Sequence, residues 1–369
     1  MIASVFLPLA FISLIVQLVF QILIRSGLKK IESNSDNNLT GPRAPLSVII
    51  VARNEKGNLK KYLPSVLASE YEFFELVLVD DYSTDNTKAI MDEFAAKDKR
   101  VIVVGNKGKL KGKKGALTTG VQAATHDNLV FTDADCYVTS EWLTHFALAY
   151  ESGSDFVIGH GAYDRGRSWF SEFYSFNAHK SAMLYFASAA YSMPYMCVGR
   201  SMGYKKSLFL SSNGFTDHAN IESGSDDLFL QTVKGSAKIA LNPQAISFSK
   251  APSSIKRWII QRRRHLGAGR YYPFKVLALI FAYEISNLLI PLVYLFLLFT
   301  KSDHLPLLTL LLIVRIVLFR SNTQVFSSLV KSNDDISQLW WSEYPMSWLN
   351  ALISVNIGLM KKEAWTTRR

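Results

Sequence analysis

An uncharged apolar run near the start of the chain limits most strongly what the chain can fold into. Residues 3–24, ASVFLPLAFISLIVQLVFQILI, contain no charged side chain. A helix of this length crosses a hydrocarbon core about 30 Å thick. A cleaved signal peptide is the alternative, but no basic stretch precedes the run, it is too long for such a core, and no small-residue cleavage site follows. We therefore predict an N-terminal transmembrane anchor over residues 1–25.

Two more apolar runs lie towards the other end of the chain. Residues 276–299 and 305–319 are separated only by the polar stretch TKSDH. This spacing predicts a transmembrane helical hairpin over residues 276–320. Each run contains one charged residue, Glu284 in the first and Arg315 in the second. Because an unpaired charge at this depth is costly, we expect either a Glu284 to Arg315 contact or separate snorkelling of the two side chains.

Residues 339–360 form a third apolar stretch whose placement is open. Pro345 divides the stretch and leaves about 15 residues after the proline, too few for a comfortable span. If the stretch crossed the membrane, Lys361 and Lys362 would face outward, against the positive-inside rule. An interfacial or re-entrant helix is expected, and a third C-terminal membrane helix is the alternative.

Positive charge is concentrated beside the apolar runs. Arg25, Lys29 and Lys30 follow the first run, and a basic segment at residues 253–275 precedes the second. The positive-inside rule then places the large polar middle of the chain in the cytosol. A net charge of +11 with this distribution indicates anionic membrane lipid as a partner, and no nucleic acid. We expect an integral protein of the bacterial inner membrane with a cytosolic catalytic part.

Short apolar runs alternate with helical patterns through this middle part. The runs predicted to be strands are residues 46–52, 74–80, 100–105, 128–133 and 154–160. The segments between the first four strands have helical spacing. The alternation predicts an α/β domain with a mainly parallel sheet over residues 45–252.

Polar motifs follow three of these strands: ARNE at residues 52–55, DDYSTDNT at 80–87 and DAD at 133–135. Ligands bind at the carboxyl ends of strands in such sheets, so three polar loops at one edge predict a single cleft. The chain has no G-x-G-x-x-G and no Walker lysine motif. A bound nucleotide diphosphate would therefore depend on a metal and on basic side chains.

Six motifs together resemble family 2 glycosyltransferases with the GT-A fold. They are SVIIVARNE, VDDYSTDNT, GKKGALTTG, TDADC, SDDLFL and QRRRH, and they occur in that family's order over roughly residues 45–266. With its apolar flanks, the chain is similar to membrane-bound members such as ceramide glucosyltransferases and polysaccharide synthases. Those members end the last motif with tryptophan, where this chain has His265. The replacement of that tryptophan by His265 affects the acceptor side of the site, where the tryptophan packs in those members.

The resemblance implies a metal role for the DAD motif. Asp135 would bind the cation, and Asp133 would contact the ribose or the hydrated metal. The alternative is that the two residues cap a helix or solvate a bend. Because a departing diphosphate develops negative charge, hard oxygen ligands holding Mg²⁺ or Mn²⁺ would suit the reaction.

The resemblance also implies a nucleotide-sugar site. Asp81 would hydrogen-bond the base, and Ala52 and Glu55 would line the nucleoside pocket. Lys113 would approach the phosphates, with a solvated lysine in a basic run as an equal alternative.

The motif SGSDDLFLQTV supplies the acid pair that the family uses. Asp227 aligns with the general base that takes a proton from the acceptor hydroxyl, and Asp226 would support or orient it. The alternative is that the pair complements a helix N-terminus, worth about 0.3 to 1 kcal/mol. One base without a separate nucleophile implies inversion at the anomeric carbon.

The acceptor side is the least determined part of the sequence. The resemblance places Arg264 on the diphosphate, Gln261 towards the acceptor, and Gly203 in an acceptor-side segment. The QRRRH segment would also suit a helix lying on the lipid surface. The aromatic stretch at residues 169–196 is either plain core or a wall for a lipid-linked acceptor.

These interpretations lead to one expected function. The chain would be an inverting glycosyltransferase that moves a sugar from a nucleotide-diphosphate sugar, foremost a UDP-sugar, to a lipid or lipid-linked glycan at the cytosolic membrane face. A processive polysaccharide synthase is an alternative, although three or so spans are few for a polymer channel. A catalytically inactive nucleotide-binding scaffold is the other.

Overall fold

A computed structural model describes residues 2–33, 44–108, 110, 112–164, 168–221, 223–252, 254–269, 271–331 and 336–357. The chain divides into two compact units, and each is described by itself. The helical unit comprises Met1–Ser33, Ser168–Tyr195 and Ser253–Lys361. The sheet unit comprises Asn34–Arg167, Met196–Pro252 and Lys362–Arg369.

The sheet unit is built on eight strands. They are β1 (Leu46–Ala52), β2 (Phe74–Asp80), β3 (Val101–Gly105), β4 (Asn128–Asp133), β5 (Cys136–Val138), β6 (Phe156–Asp164), β7 (Met202–Lys205) and β8 (Ile239–Lys250). Their order is β3-β2-β1-β4-β7-β6-β8-β5. The first four in that order are mutually parallel, β7 runs antiparallel to β4 and β6, and β8 pairs parallel with β6. The expected α/β class with a mainly parallel sheet is confirmed.

The helices of this unit cover both faces of the parallel strands. They are α2 (Lys56–Leu67), α3 (Thr87–Lys97), α4 (Lys113–Ala123), α5 (Trp142–Glu151), α7 (Lys206–Ser211) and α8 (Asp227–Val233). Alternate residues of a strand face opposite sides, so Val48 and Ile50 join a buried cluster with Leu59 of α2. On the other face, α4 lies so close that a Cβ on Gly120 would be 2.6 Å from Ile49 Cγ2. Both faces are buried, as continuous apolar strands predict.

The helical unit contains α1 (Ile2–Ser33), α6 (Trp169–Ala189), α9 (Ile255–Gly269), α10 (Phe274–Phe299), α11 (Leu305–Leu329), a 3-10 segment (Ile336–Ser342) and α12 (Glu343–Ile357). Within the described part of the chain, three helical stretches are long and apolar enough to cross a membrane: Phe6–Ser33, Phe274–Phe299 and Leu305–Leu329. Helix α12 has 15 residues, a length of about 22 Å. Its interfacial or re-entrant placement stays a prediction.

Aromatic residues of α6 are mostly buried. Phe176 and Phe186 are at most 1% exposed, and Phe176 meets Phe319 of α11 edge-on with ring centroids 6.1 Å apart. This burial favours packing over the acceptor-wall interpretation of the stretch.

A buried polar network joins the apolar helices of this unit. Arg315 and Glu343 are both fully buried, and Arg315 Nη2 lies 2.6 Å from Glu343 Oε2. Arg315 Nη2 also donates to Gln17 Oε1 and to Asn287 Oδ1, at 3.0 Å each. Four helices, α1, α10, α11 and α12, therefore contribute to one polar cluster in an apolar setting.

The predicted contact between Glu284 and Arg315 is wrong. Glu284 Oε1 lies 3.5 Å from Lys180 Nζ of α6, and its other oxygen accepts from the Ser347 hydroxyl at 2.8 Å. Snorkelling of Arg315 is wrong as well, because the side chain is fully buried. Each charge has a partner from a helix that is remote in sequence, and hairpin spacing alone could not indicate it.

Candidate active site

The polar loops that follow β1, β2 and β4 lie at one edge of the sheet. The strand register pairs Ala52 with Asp80 and Val51 with Asp133. The three strands are parallel, so their carboxyl ends are side by side. Of the residues predicted to bind a nucleotide-sugar, Ala52, Asp81 and Asp133 are thus neighbours in the structure.

Asp81 is held at this edge as a buried carboxylate. It is 1% exposed, its backbone N–H donates to Ala52 O at 2.9 Å, and its Oδ1 accepts from Asn106 Nδ2 at 2.7 Å. Its Oδ2 is buried and has no hydrogen-bond partner among the described residues. A buried acceptor left without a donor is costly, so a ligand N–H would satisfy it. Asn106 was not predicted, although it follows β3 at the same edge.

Glu55 fixes the first loop to the second. It is the N-cap residue of α2, its Oε2 accepts from Asn58 Nδ2 at 2.6 Å, and its backbone N–H donates to Thr87 Oγ1 at 2.7 Å. Asn54 has φ of 55°, a conformation that asparagine tolerates, and its Oδ1 accepts from Thr84 N at 2.8 Å. The nucleoside-side loops therefore support one another.

The DAD motif places its two carboxylates differently. Asp133, at the end of β4, forms an ion pair with Lys113 at the start of α4. Asp135 is exposed, and burial raises the pKa of the neighbouring Cys136 thiol well above its ordinary value, with a further rise from the charge of Asp135. The oxygen atoms of the two aspartates are the hard donors of this motif, the kind that Mg²⁺ and Mn²⁺ take in proteins.

A divalent cation fits this donor set. Among the described residues, no group of three His, Cys, Asp or Glu side chains could hold a metal ion by itself. Mg²⁺ in nucleotide sites takes one or two carboxylates and completes its shell with water and phosphate oxygens. Asp135 is accessible, and Asp133 already faces the positive charge of Lys113. The two carboxylates suit a cation that arrives with a diphosphate.

The acid pair is held by the backbone of the segment before β7. Asp227 is 9% exposed, and its Oδ1 accepts from Cys197 N at 3.0 Å. Asp226 Oδ2 accepts from Gly199 N at 2.9 Å, while its Oδ1 caps α8 through Asp227 N at 3.0 Å. Asp226 therefore caps α8, and its supporting role towards Asp227 stays a prediction. The Asp227 carboxylate is bound to the Cys197 amide instead.

The segment at residues 197–200 also relates the acid pair to the DAD motif. Arg200 follows Gly199, and its guanidinium lies over the Tyr163 ring at 3.9 Å. Its positive charge lowers the pKa of the Cys136 thiol beside Asp135, against the larger effect of burial. Strand β7 follows this segment and runs antiparallel to β4, with Met202 opposite Phe131, so the segment lies beside the carboxyl end of β4, where the DAD motif begins. Arg200 was not predicted, since no pattern in the sequence separates it from other basic residues.

The remaining predicted residues are placed as follows. Gly203 is buried in β7, where a Cβ would lie 2.5 Å from the Tyr150 hydroxyl, so packing alone requires glycine there. Gln261 and Arg264 lie in α9 of the helical unit. The Arg264 side chain falls outside the described residues. The acceptor-side roles of Gly203 and Gln261 and the diphosphate-binding role of Arg264 stay predictions.

Two family descriptions match the chain. "Glycosyl transferase family 2" matches residues 47–209, and "Glycosyl transferase family group 2" matches residues 129–356, more than half of the chain. A mainly parallel GT-A-like sheet with carboxylates at one edge, matched in this way, defines a glycosyltransferase. The chain belongs to glycosyl transferase family 2.

Individual relatives agree with this assignment. The uncharacterized glycosyltransferase YaiP of Escherichia coli is 37% identical over 31% of this chain and 29% of its own length. The undecaprenyl-phosphate 4-deoxy-4-formamido-L-arabinose transferase of Proteus mirabilis is 30% identical over 34% of this chain and 39% of its own. The matches thus span well under half of either relative.

One solved structure shows the same fold over nearly the whole chain. It is the mannosyltransferase PcManGT of Pyrobaculum calidifontis, in complex with GDP-Man and Mn²⁺. The TM-score is 0.62 at 16% identity, over 98% of this chain and 100% of PcManGT. The likeness confirms the GT-A-like fold.

Proposed function

We propose that the protein transfers a sugar, with inversion, from a nucleotide-diphosphate sugar to a lipid or lipid-linked glycan at the cytosolic face of a membrane. The observation that carries the proposal is where the carboxylates lie: Asp81 and the DAD motif follow neighbouring parallel strands, and the segment before β7, which binds the Asp226–Asp227 pair, lies beside the carboxyl end of β4. A family 2 transferase with three helices apolar enough to cross a membrane meets a lipid acceptor without leaving the bilayer surface.

Asp227 is the proposed general base. The Cys197 N–H donates to Asp227 Oδ1 and so orients the carboxylate to take a proton from a substrate hydroxyl. Asp226 holds the start of α8 and the Gly199 amide, and so positions Asp227. Because this site offers one base and no separate nucleophile, a single displacement with inversion follows.

On the donor side, the residues have complementary tasks. The unpaired Asp81 Oδ2 accepts an N–H from the base, as uracil provides. Lys113 binds the phosphates after exchanging its Asp133 partner for them. Asp135 and Asp133 would hold Mg²⁺ or Mn²⁺, and the bound cation would supply Lewis-acid stabilisation for a leaving diphosphate. PcManGT, with the same fold, was solved with Mn²⁺, which supports a divalent cation. Arg264 is proposed to bind the diphosphate by resemblance alone.

The acceptor is proposed from the apolar helices and from one relative. The Proteus transferase is named for an undecaprenyl-phosphate substrate, which supports a lipid-linked acceptor here. The three candidate spans among the described residues are few for a polymer channel, so one sugar per acceptor is favoured over processive synthesis.

The decisive experiment incubates membranes containing the protein with nucleotide-sugars and Mn²⁺. We expect release of a nucleoside diphosphate together with a new glycolipid, identified by mass spectrometry of the lipid extract. A long homopolymer would instead establish the processive alternative. Release no greater than in membranes lacking the protein would establish a scaffold and refute the proposal.

Replacing Asp135 by asparagine should weaken the use of the metal. Removing a charged oxygen ligand lowers cation affinity, so we expect half-maximal activity to require at least about tenfold more Mn²⁺. Titrating activity against Mn²⁺ measures the shift. Asp92→Asn, which removes an exposed carboxylate paired with Lys88, is the control and should leave the titration unchanged. Equal titrations for both variants would exclude Asp135 as a ligand.

A further inference from the structure

Lys114, the second residue of α4, is a buried lysine in the sheet unit. It is 4% exposed, and its ammonium group donates to His218 O at 2.5 Å and to Ile221 O at 2.6 Å. Burial disfavours a charged amine, and a positive charge at a helix N-terminus opposes the helix dipole. A lysine at this position therefore lowers the stability of the fold by itself. Its hydrogen bonds to the two carbonyl oxygens offset that cost.

The carbonyls that Lys114 binds lie in the segment that leads to the acid pair. This segment begins with the 3-10 helix Thr216–His218 and runs on to Asp226. On its other side, His218 Nε2 lies 3.1 Å from the Thr232 hydroxyl of α8. The segment is thus bound to α4 through Lys114 and to α8 through His218.

Neighbouring lysines at the start of α4 serve two different groups. Lys113 pairs with Asp133 of the DAD motif, whereas Lys114 binds the segment before Asp226 and lies close enough for its charge to interact with Asp226. One helix turn therefore connects the donor-side carboxylates with the acid pair.

We propose that Lys114 is a positioning residue for sugar transfer, which fixes the segment before the acid pair and supplies a positive charge beside Asp226. The proposal rests on the proposed function of Asp227 as the base. Lys114 acts through the segment and Asp226, and it touches neither reacting group.

The charge of Lys114 gives the proposal a pH signature. Burial lowers the pKa of Lys114 to about 8, against a smaller opposite effect of Asp226. The charge of Asp226 acts on Lys114, and His218, whose carbonyl Lys114 binds, is itself acted on by Asp217; Lys113 is the neighbouring cation on the same helix. Burial lowers the pKa of His218, and the charge of Lys114 lowers it further. The His218 ring is therefore neutral near pH 8. Turnover should therefore fall as pH rises through about 8 and the ammonium loses its proton.

Stability should respond in the opposite direction. The pKa of Lys114 in the folded protein lies below its ordinary value of 10.5, so the unfolded chain binds more protons between these two values. The burial cost of this group is then relieved as pH rises from about 8 towards 10.5. A loss of turnover without a loss of folded protein distinguishes the proposed role from simple alkaline unfolding.

The test compares Lys114→Met and Lys114→Arg with a matched control, Lys206→Met. Lys206 Nζ also donates to two backbone carbonyls, Gln122 O at 3.2 Å and Ala124 O at 2.7 Å, but at the other end of α4. We expect Lys114→Met to lower kcat about 10²-fold through misplacement of the acid pair, with the KM for the nucleotide-sugar little changed. Lys114→Arg should recover part of the rate and move the alkaline limit upward.

Hydrogen exchange supplies a readout that needs no activity. In Lys114→Met, amides of residues 216–221 should exchange faster than in the wild type, and those at the end of α4 should not. Lys206→Met should show the reverse, with kcat and its pH profile unchanged. If Lys114→Met matches Lys206→Met in kcat, pH profile and exchange at residues 216–221, the positioning role is refuted. If the wild type shows no turnover, the proposed function fails instead, while exchange still reports the contact.

Discussion

Asp227→Asn should abolish most of the turnover and leave donor binding intact. Asparagine has nearly the shape of aspartate, and its Oδ1 can still accept from Cys197 N, the partner 3.0 Å away in the structure. It cannot take a proton from an acceptor hydroxyl at neutral pH. General-base catalysis contributes roughly 10²- to 10⁴-fold, so we expect kcat to fall by about that factor. Steady-state release of nucleoside diphosphate measures kcat, and calorimetry measures donor affinity.

A second acid in the same unit provides the control for Asp227→Asn. Asp155 pairs with Lys205 at 2.9 Å and accepts from Lys238 N at 2.9 Å, and it has no proposed part in the reaction. Asp155→Asn should weaken folding slightly and leave kcat unchanged. If Asp227→Asn kept more than a tenth of wild-type kcat while folding normally, another group would have to be the base.

The parallel half of the sheet could be predicted because its signals are local. Strands β1, β2 and β4 have the bounds that their apolar runs predict, residues 46–52, 74–80 and 128–133. Strands covered on both faces need continuous apolar residues, and that pattern is visible without knowing their neighbours. The meeting of Asp81 and the DAD motif at one edge follows from parallel pairing alone.

Strand β6 was predicted at residues 154–160, but the other strands of the antiparallel half, β5, β7 and β8, were not, because they lack such a pattern. Strand β5 has three residues and β7 has four. Strand β8 carries Asn242 and Pro243 within its twelve residues, which interrupt any apolar run. These strands form by adding to an existing sheet edge, so their stability comes from tertiary pairing and not from local preference.

The missed residues of the site share a physical reason. Asn106, Lys114 and Arg200 each contact a group 25 or more residues away in sequence. The hydrogen bond from Asn106 to Asp81 is an example. The sequence of a basic run does not show which of its lysines is buried and which is solvated. Only the packing of the folded chain determines that. Sequence motifs therefore located the carboxylates, whereas the groups that position them required the fold.

The buried ion pair of the helical unit leads to the second large prediction. Glu343→Gln removes the carboxylate that lies 2.6 Å from Arg315 and leaves an arginine charge fully buried among apolar helices. Breaking a buried pair by removing one partner costs about 3 to 5 kcal/mol, whereas exchanging both partners for apolar groups is often neutral. We expect Glu343→Gln to lower the free energy of unfolding by about that amount, measured by denaturant titration in detergent micelles.

The double variant Arg315→Met with Glu343→Leu decides whether the loss comes from the stranded charge. It should regain most of the stability that Glu343→Gln loses, because no buried charge remains. Asp92→Asn is the control: its pair with Lys88 is exposed on both sides, so its loss should cost about 1 kcal/mol or less. A double variant as unstable as Glu343→Gln would mean that the hydrogen bonds that Arg315 donates to Gln17 and Asn287, and not charge pairing, hold these helices together.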